Sequence, residues 1–173
     1  MLVFNIIFLI FALVILLWQV SLIVAIIAGA PTVYSRDRVI IEAFKGVSLK
    51  KNQLVVDLGC GNARSLVIAS RKFGAKGVGI EISPFYYLWA KINVLAHGEA
   101  KNIKIKFGNI RNNKEDIRNA DVIYLYLFDK ILGEIEPWIF RLAKPHSKII
   151  SLAFSFKNHR ANIVKTKPPI YIY

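Results

Sequence analysis

The first 35 residues of the chain contain no charged side chain, and 28 of them are apolar. No other feature limits the possible structures as strongly. The run from Leu2 to Ala30 is 29 residues long. At about 1.5 Å per residue, a helix of this length exceeds the ~30 Å hydrocarbon core of a bilayer. The run therefore predicts one N-terminal transmembrane helix, an anchor over residues 1–30.

Two other interpretations of the apolar run exist. The segment Ala28-Gly29-Ala30 has the small-residue form of a signal-peptide cleavage site. However, no Lys or Arg precedes the run, its length far exceeds the ~7–15 residues of a signal-peptide core, and Pro31 would follow the cut. A buried core helix is the third interpretation, but such helices seldom run this far without a charge. The uncleaved anchor is favoured.

All charged side chains follow residue 35, and 24 Lys and Arg against 11 Asp and Glu give a net charge of +13. Because Arg36, Arg38 and Lys45 follow the apolar run and no basic residue precedes it, we expect a single-pass membrane protein whose soluble domain lies on the cytoplasmic side. The single cysteine, Cys60, cannot form an intrachain disulfide, which fits a reducing compartment.

The basic surface predicts attraction to anionic lipid headgroups. Nucleic acid is the rival explanation of the charge. Because the Lys and Arg residues are scattered and are not interleaved with aromatic residues in a recognisable motif, no nucleic-acid partner is expected. A compositional bias toward Lys and Ile is a third explanation.

Beyond a linker and pre-domain segment (31–52), residues 53–173 have the size and composition of one domain. Apolar runs alternate there with amphipathic stretches. The pattern predicts strands at 54–58, 77–81, 103–107, 121–127 and 148–154, helices at 64–73, 84–97 and 130–142, and a final hairpin from 162–164 and 170–173. This alternation predicts an α/β fold with a doubly wound, mostly parallel, Rossmann-like sheet.

The turn after the first predicted strand reads Asp57-Leu58-Gly59-Cys60-Gly61. In such sheets the ligand lies beyond the carboxyl ends of the strands, and the first strand-to-helix turn approaches it most closely. Glu81 ends the second predicted strand, where a carboxylate can accept hydrogen bonds from the two hydroxyls of a ribose. Taken alone, each feature could be structural, a tight turn or a solvated strand end. Together, in this order, they predict a nucleoside ligand.

Two positions indicate which nucleoside is bound. A dinucleotide-binding turn needs a third glycine, and Arg64 occupies that position, which disfavours NAD. Asp57 precedes the first glycine by two residues, where a carboxylate can help to hold an α-amino group. A ligand with an amino-acid end and a ribose end is S-adenosylmethionine.

These motifs, together with Gly79-Ile80-Glu81 and Gly108-Asn109, resemble the cofactor motifs of class I seven-strand methyltransferases over most of residues 53–153. More narrowly, the leading helix, the segment 29–35, Arg64 and the run 124–127 resemble the small membrane-anchored lysine methyltransferases that include the enzymes for the ATP synthase c subunit and the adenine nucleotide translocase. The resemblance implies a set of cofactor-binding residues: Asp57, Gly59, Cys60, Gly61, Glu81, Ile82, Asn109 and Ile110. In one departure, Asn62-Ala63 stands where Asp-Gly is usual.

The fourth predicted strand supplies the candidate catalytic residues, Tyr124 and Tyr126. Their rings could wall a narrow channel and orient a lysine amine, although alternate residues of a buried strand more often belong to the core. Tyr34 could close the pocket or belong to an interfacial aromatic belt. The three histidines lie on separate segments without ligand spacing, so no metal site is predicted.

The sequence therefore favours a membrane-tethered protein lysine methyltransferase whose partner is a membrane-associated protein substrate. Two alternatives remain open. One is a methyltransferase for a lipid or quinone head group, which would also explain the anchor. The other is a non-catalytic binding module with the same fold.

Overall fold

A computed structural model describes residues 1–28 and 35–173, with only the backbone described at residues 22 and 24–28. Tyr34 and the predicted boundary between anchor and linker lie outside the described residues. The helices are α1 (Leu2–Ala28), α2 (Asp37–Gly46), α3 (Arg64–Phe73), α4 (Pro84–Ala96), α5 (Lys114–Asn119) and α6 (Asp129–Leu142). The strands are β1 (Leu54–Leu58), β2 (Lys76–Glu81), β3 (Ile103–Phe107), β4 (Val122–Leu125), β5 (Lys148–Leu152), β6 (Asn162–Val164) and β7 (Ile170–Ile172).

The described strands form one seven-stranded sheet in the order β3-β2-β1-β4-β5-β7-β6. The strands from β3 to β5 are parallel, β7 is antiparallel to β5, and β6 is antiparallel to β7. The predicted α/β class, the doubly wound, mostly parallel sheet and the final hairpin are confirmed. The strand order reverses between β1 and β4, and ligands of such sheets bind beyond the carboxyl ends at that reversal.

Alternate residues of the central strands pack on opposite faces of the sheet. Tyr124 of β4 lies in an apolar cluster with Phe44 of α2 and Leu66 of α3. Its neighbour Ile123 lies in a second cluster with Ile135 of α6. Burial on both faces explains why the sequence of β4 is continuously apolar.

Helix α2 lies within the predicted linker and pre-domain segment (31–52). Its residues Val39, Ile40, Ala43 and Phe44 are buried, and this spacing places them along one helix face. The ring of Phe44 packs against that of Phe73, at a centroid distance of 5.9 Å. Residues 37–46 therefore belong to the folded core.

Helix α1 differs from the other helices in that no side chain from Leu2 to Val20 is buried. The segment Leu2–Ser21 is long and apolar enough to cross a membrane, by length and composition alone. Ser21 is buried, and its Oγ accepts a hydrogen bond of 3.0 Å from the backbone N–H of Phe85, in the first turn of α4. Contact between α1 and the domain is thus made at the start of α4.

Gly79 on β2 lies directly beneath the side chain of Cys60. A Cβ at position 79 would lie 2.7 Å from Cys60 Sγ and 3.0 Å from Ile105 Cδ1, closer than real side-chain contacts. The missing side chain therefore allows the turn after β1 to rest on β2.

We expect Gly79→Ala to lower the free energy of unfolding by about 1–3 kcal/mol, because the added methyl group overpacks this contact. In a Cys60→Ala background the loss should be smaller, since the sulfur is gone. Chemical denaturation of the four proteins in this cycle measures the difference. Gly133→Ala on α6, where a Cβ meets no atom within 4 Å, is the matched control. Equal losses in both backgrounds would contradict the contact.

Candidate functional site

The turn between β1 and α3 places its backbone over the end of β2. Gly59 and Gly61 have φ angles of +83° and +54°, in the left-handed region that glycine adopts without strain. The backbone N–H groups of Gly59 and Cys60 both donate to the carbonyl of Ile80, at 2.9 and 3.1 Å. A Cβ at Gly59 would lie 3.2 Å from Leu127 Cδ2, so the turn also lies against the segment after β4.

Asp57 lies on β1, directly before this turn, and only 3% of its surface is exposed. Its Oδ2 accepts a hydrogen bond from the hydroxyl of Ser65, in the first turn of α3. The pKa of Asp57 is raised from 3.8 to about 7: burial is the largest cause, the hydrogen bond from Ser65 opposes the rise, and the nearby charge of Glu81 adds to it.

Glu81 ends β2, and 8% of its surface is exposed. Its Oε2 accepts a hydrogen bond of 2.8 Å from the N–H of Gly61, and its Oε1 accepts one of 2.8 Å from the N–H of Ser83. Burial raises the pKa of Glu81, while the backbone N–H groups of Ser83 and Gly61 act in the opposite direction. The carboxylate thus fixes the glycine turn against the end of β2.

The two carboxylates share one unusual property. Among residues 1–28 and 35–173, neither Asp57 nor Glu81 forms an ion pair; Asp57 accepts a hydrogen bond from the Ser65 hydroxyl, and Glu81 accepts from backbone N–H groups. Buried charges are normally paired with a cation. Two buried carboxylates without a cationic partner fit S-adenosylmethionine, because that ligand brings an ammonium group, a sulfonium and two ribose hydroxyls.

Cys60 and Ile82 flank these groups. Cys60 is buried, burial raises the pKa of its thiol, and its side chain fills the space above Gly79. Ile82 is half-buried just after the end of β2. Both residues thus lie at the ligand edge of the sheet, and their contribution to cofactor binding stays a prediction.

Asn109 follows β3, and the N–H of the preceding Gly108 donates to the carbonyl of Glu81 at 2.9 Å. The ends of β2 and β3 are thereby held together. Asn109 Oδ1 accepts a hydrogen bond of 2.9 Å from the N–H of Arg111 and caps the 3-10 turn Ile110–Asn112. Ile110 packs against the second apolar cluster. An amide oxygen has a second lone pair, so the predicted contact of Asn109 with adenine is compatible with this cap.

Tyr124 and Tyr126 lie on the same side of the sheet. Tyr124 is paired in register with Asp57, and its ring centroid lies 5.4 Å from that of Phe44, so the ring is part of the core. Its buried hydroxyl has no hydrogen-bond partner of normal geometry in the described part of the chain. Burial raises the pKa of Tyr124, and the Ser35 side chain partly opposes that rise. Tyr126 is half-buried beyond the end of β4, where burial raises its pKa as well. A catalytic role for either tyrosine stays a prediction.

Three further residues support the site. The sequence prediction either did not name them or gave them a different role. Ser65 holds Asp57, and its position in the first helical turn after the glycines was the available signal. Arg64 was considered as the replacement of a third glycine and as part of the family resemblance, but its Nε also donates to Asp37 Oδ1 and ties α2 to the start of α3. Asn62 is half-buried; its backbone carbonyl accepts a hydrogen bond of 2.8 Å from Asn93 Nδ2, and its side-chain oxygen accepts one from the N–H of Arg64.

No group of three or more His, Cys, Asp or Glu residues that could hold a metal ion occurs in the described part of the chain.

Residues 57–162 match the model of a protein family described as the ANTKMT methyltransferase domain. A protein-lysine N-methyltransferase of Saccharolobus islandicus (strain REY15A) is 26% identical over 128 residues, which cover 73% of this chain and 78% of that protein. The ribosomal protein L11 methyltransferase of Haemophilus influenzae (strain PittEE) is 33% identical over 110 residues. These residues cover 63% of this chain but only 36% of that relative.

Solved structures show the same architecture. The RNA methyltransferase from Salinibacter ruber, in complex with S-adenosyl-L-homocysteine, has a TM-score of 0.78 and 25% identity over 82% of this chain and 92% of that one. A methyltransferase from Geobacter sulfurreducens, also with S-adenosyl-L-homocysteine, has a TM-score of 0.63 and 19% identity over 79% of this chain and 54% of that one. The predicted cofactor, S-adenosylmethionine, is confirmed.

We expect Glu81→Gln to weaken binding of S-adenosylhomocysteine at least about tenfold, because a charge-assisted hydrogen bond to a ribose hydroxyl contributes roughly 1.5–3 kcal/mol. Calorimetric titration of the full chain in detergent measures the affinity. Glu115→Gln, on the exposed side of α5, is the matched control. Unchanged affinity of the Glu81 variant would leave this carboxylate with the structural role alone.

Proposed function

The chain belongs to the family of ANTKMT methyltransferase domains, and on that premise we propose that it is a membrane-anchored enzyme that methylates a lysine amine of a membrane-associated protein. The observation that carries the proposal is the buried carboxylate pair, Asp57 and Glu81, beside the glycine turn. The lysine acceptor is supported by the resemblance to the protein-lysine N-methyltransferase of Saccharolobus islandicus.

Each part of the edge has an assigned role in this proposal. Asp57 accepts hydrogen bonds from the ammonium group of the cofactor, and Glu81 accepts them from the ribose hydroxyls. The backbone of Gly59 and Gly61 lies against the methionine part, where any Cβ would intrude. Asn109 accepts a hydrogen bond from the adenine amino group. Cys60, Ile82 and Ile110 complete the apolar surroundings.

S-adenosylmethionine, when bound, supplies an electrophilic methyl group whose transfer to nitrogen breaks the methyl–sulfur bond and leaves S-adenosylhomocysteine. The protein has to align the amine and exclude water. Tyr126 orients the amine through its hydroxyl, which is protonated at neutral pH as in an ordinary tyrosine; burial raises its pKa further. A lysine amine has a pKa of about 10.4 in water, and burial beside these rings favours the neutral form that can attack. The ammonium loses its proton to bulk water before the neutral amine enters this water-excluded site.

The membrane anchor is supported by how α1 meets the domain. Ser21 lies against Phe85, four residues after Glu81, so α1 contacts the same edge of the sheet that carries the carboxylates. A substrate lysine close to the bilayer surface would lie near this edge. The basic residues that follow α1 support placement of the domain on the cytoplasmic side.

The test is transfer of radiolabelled methyl groups from S-adenosylmethionine by the full chain to membranes of the organism that encodes it. We expect the label in protein and, after acid hydrolysis, in methylated lysine. Gly59→Val is the inactive control, since a branched side chain at φ +83° is strained and fills the cofactor edge. Label in extracted lipid or in RNA, with none in methylated lysine, would overturn the lysine assignment. Absence of any transfer, with cofactor binding intact, would favour a binding module.

A further inference from the structure

Helix α4 has two apolar faces. Ala90 and Val94 are buried against the sheet, as expected for a helix of this fold. On the opposite side lie four large apolar side chains that are roughly half exposed or more: Leu88 (47%), Trp89 (50%), Ile92 (68%) and Leu95 (70%). Because their positions follow the i, i+1, i+4, i+7 pattern, the four side chains form one continuous stripe along the helix. We call these four residues the outer stripe.

Single exposed apolar residues are ordinary on soluble proteins, but a contiguous apolar patch marks an interaction surface. The outer stripe extends at its start through Phe85, whose ring centroid lies 5.6 Å from that of Trp89. Nearby, Tyr87 contacts the ring of Phe107, which is 57% exposed on the neighbouring strand. The described part of the chain leaves this patch uncovered.

The position of α1 indicates what covers the outer stripe. Helix α1 meets the first turn of α4 at Ser21, and the sequence of α1 stays apolar for seven more residues, to Ala28. The candidate span Leu2–Ser21 has 20 residues, about 30 Å of helix, so Ser21 lies at the boundary of the hydrocarbon core if α1 crosses a bilayer. The first turn of α4, and the stripe that begins there, are therefore held at membrane level.

The charges around α4 fit the same partner. No Asp or Glu occurs from residue 82 to residue 98. Lys91 lies beside the stripe, with its Nζ 5.5 Å from the centre of the Tyr87 ring. Apolar and aromatic side chains flanked by basic groups are typical of helices at a lipid–water interface, where Trp is enriched and anionic headgroups attract Lys.

We infer that α4 is a second membrane-binding element, with the outer stripe inserted among the lipids beside α1. The inference rests on the membrane placement of α1 proposed above. Two attachments at one end of the sheet fix the orientation of the domain, and they hold the edge that carries Asp57 and Glu81 next to the bilayer. A membrane lysine then reaches the site without the domain having to rotate.

The tryptophans of the chain provide the test, since one lies in each relevant place: Trp18 in α1, Trp89 in the outer stripe and Trp138 in α6 on the other face of the sheet. Three full-length variants each keep one tryptophan and carry Trp→Phe at the other two positions. Each is reconstituted into vesicles of phosphatidylcholine and phosphatidylglycerol with brominated or ordinary acyl chains. Binding of S-adenosylhomocysteine confirms that each variant is folded.

We expect brominated lipid to lower the fluorescence of Trp18 and of Trp89 at least about twofold, as for residues in the acyl or interfacial region, and to leave Trp138 nearly unchanged. Quenching of Trp18 but not of Trp89 would overturn the role of α4 and leave the anchor intact. Quenching of neither would overturn the membrane placement itself. Protection of Trp89 from both brominated lipid and aqueous iodide would show that protein, such as a second copy of the chain, covers the stripe, which also overturns the inference.

Discussion

Asp57 and Glu81 bring two carboxylates to the ends of neighbouring parallel strands, where burial makes a charge unfavourable and only neutral donors meet it. The local structure follows from these contacts. Ser65 is placed to hold Asp57 by the start of α3, and Gly61 turns its N–H toward Glu81. Burial raises the pKa of both carboxyl groups, so a negative charge at either position is unfavourable. A ligand that carries positive charge would favour the ionised carboxylates.

The amino-acid sequence was sufficient to predict the strands, the main helices and the glycine turn, because these depend on local patterns of apolar residues and on turn residues. The run at 54–58, the turn Gly59-Cys60-Gly61 and the strand end at Glu81 were confirmed in place. Strand β4 is shorter than predicted and ends at Leu125, where the backbone leaves the ladder beyond the last pairing with β1 and β5.

Other features depend on tertiary contacts that no local pattern encodes. The burial of α2 requires the complementary surface of α3, and the ion pair of Asp37 with Arg64 joins positions 27 apart in the chain. The helical pattern of α4 was evident, but its apolar residues did not indicate which of them face the sheet. The sequence predicted that Glu81 accepts hydrogen bonds from a ribose. In the structure its carboxylate also accepts two hydrogen bonds from backbone N–H groups, a second role that depends on the folded turn.

The proposed cofactor site and the proposed membrane anchor lie at the same edge of the sheet. Glu81 ends β2, Phe85 lies four residues later in the first turn of α4, and Ser21 of α1 lies against Phe85. The proposed cofactor site and the proposed membrane anchor therefore lie within a few residues of each other. In this proposal, a movement of the domain relative to α1 would also move the carboxylate pair relative to the bilayer.

The most direct test of the central claim, that the carboxylate pair is incomplete without its ligand, is the unfolding temperature of Asp57→Asn compared with the unchanged chain across pH. The fold raises the pKa of Asp57 from 3.8 to about 7, so the stability linked to this group is fully present below pH 3.8 and is lost as the pH rises through about 7. The variant has no group to titrate there, and its amide oxygen can still accept from Ser65.

Without ligand, at about pH 8, the variant is predicted to unfold at a higher temperature than the unchanged chain, and this advantage should shrink toward zero at about pH 4. Its affinity for S-adenosylmethionine at the higher pH should fall at least about tenfold, because the ammonium group loses its charged partner. A variant that is equally destabilised at both pH values and binds the cofactor as tightly as the unchanged chain would contradict the claim.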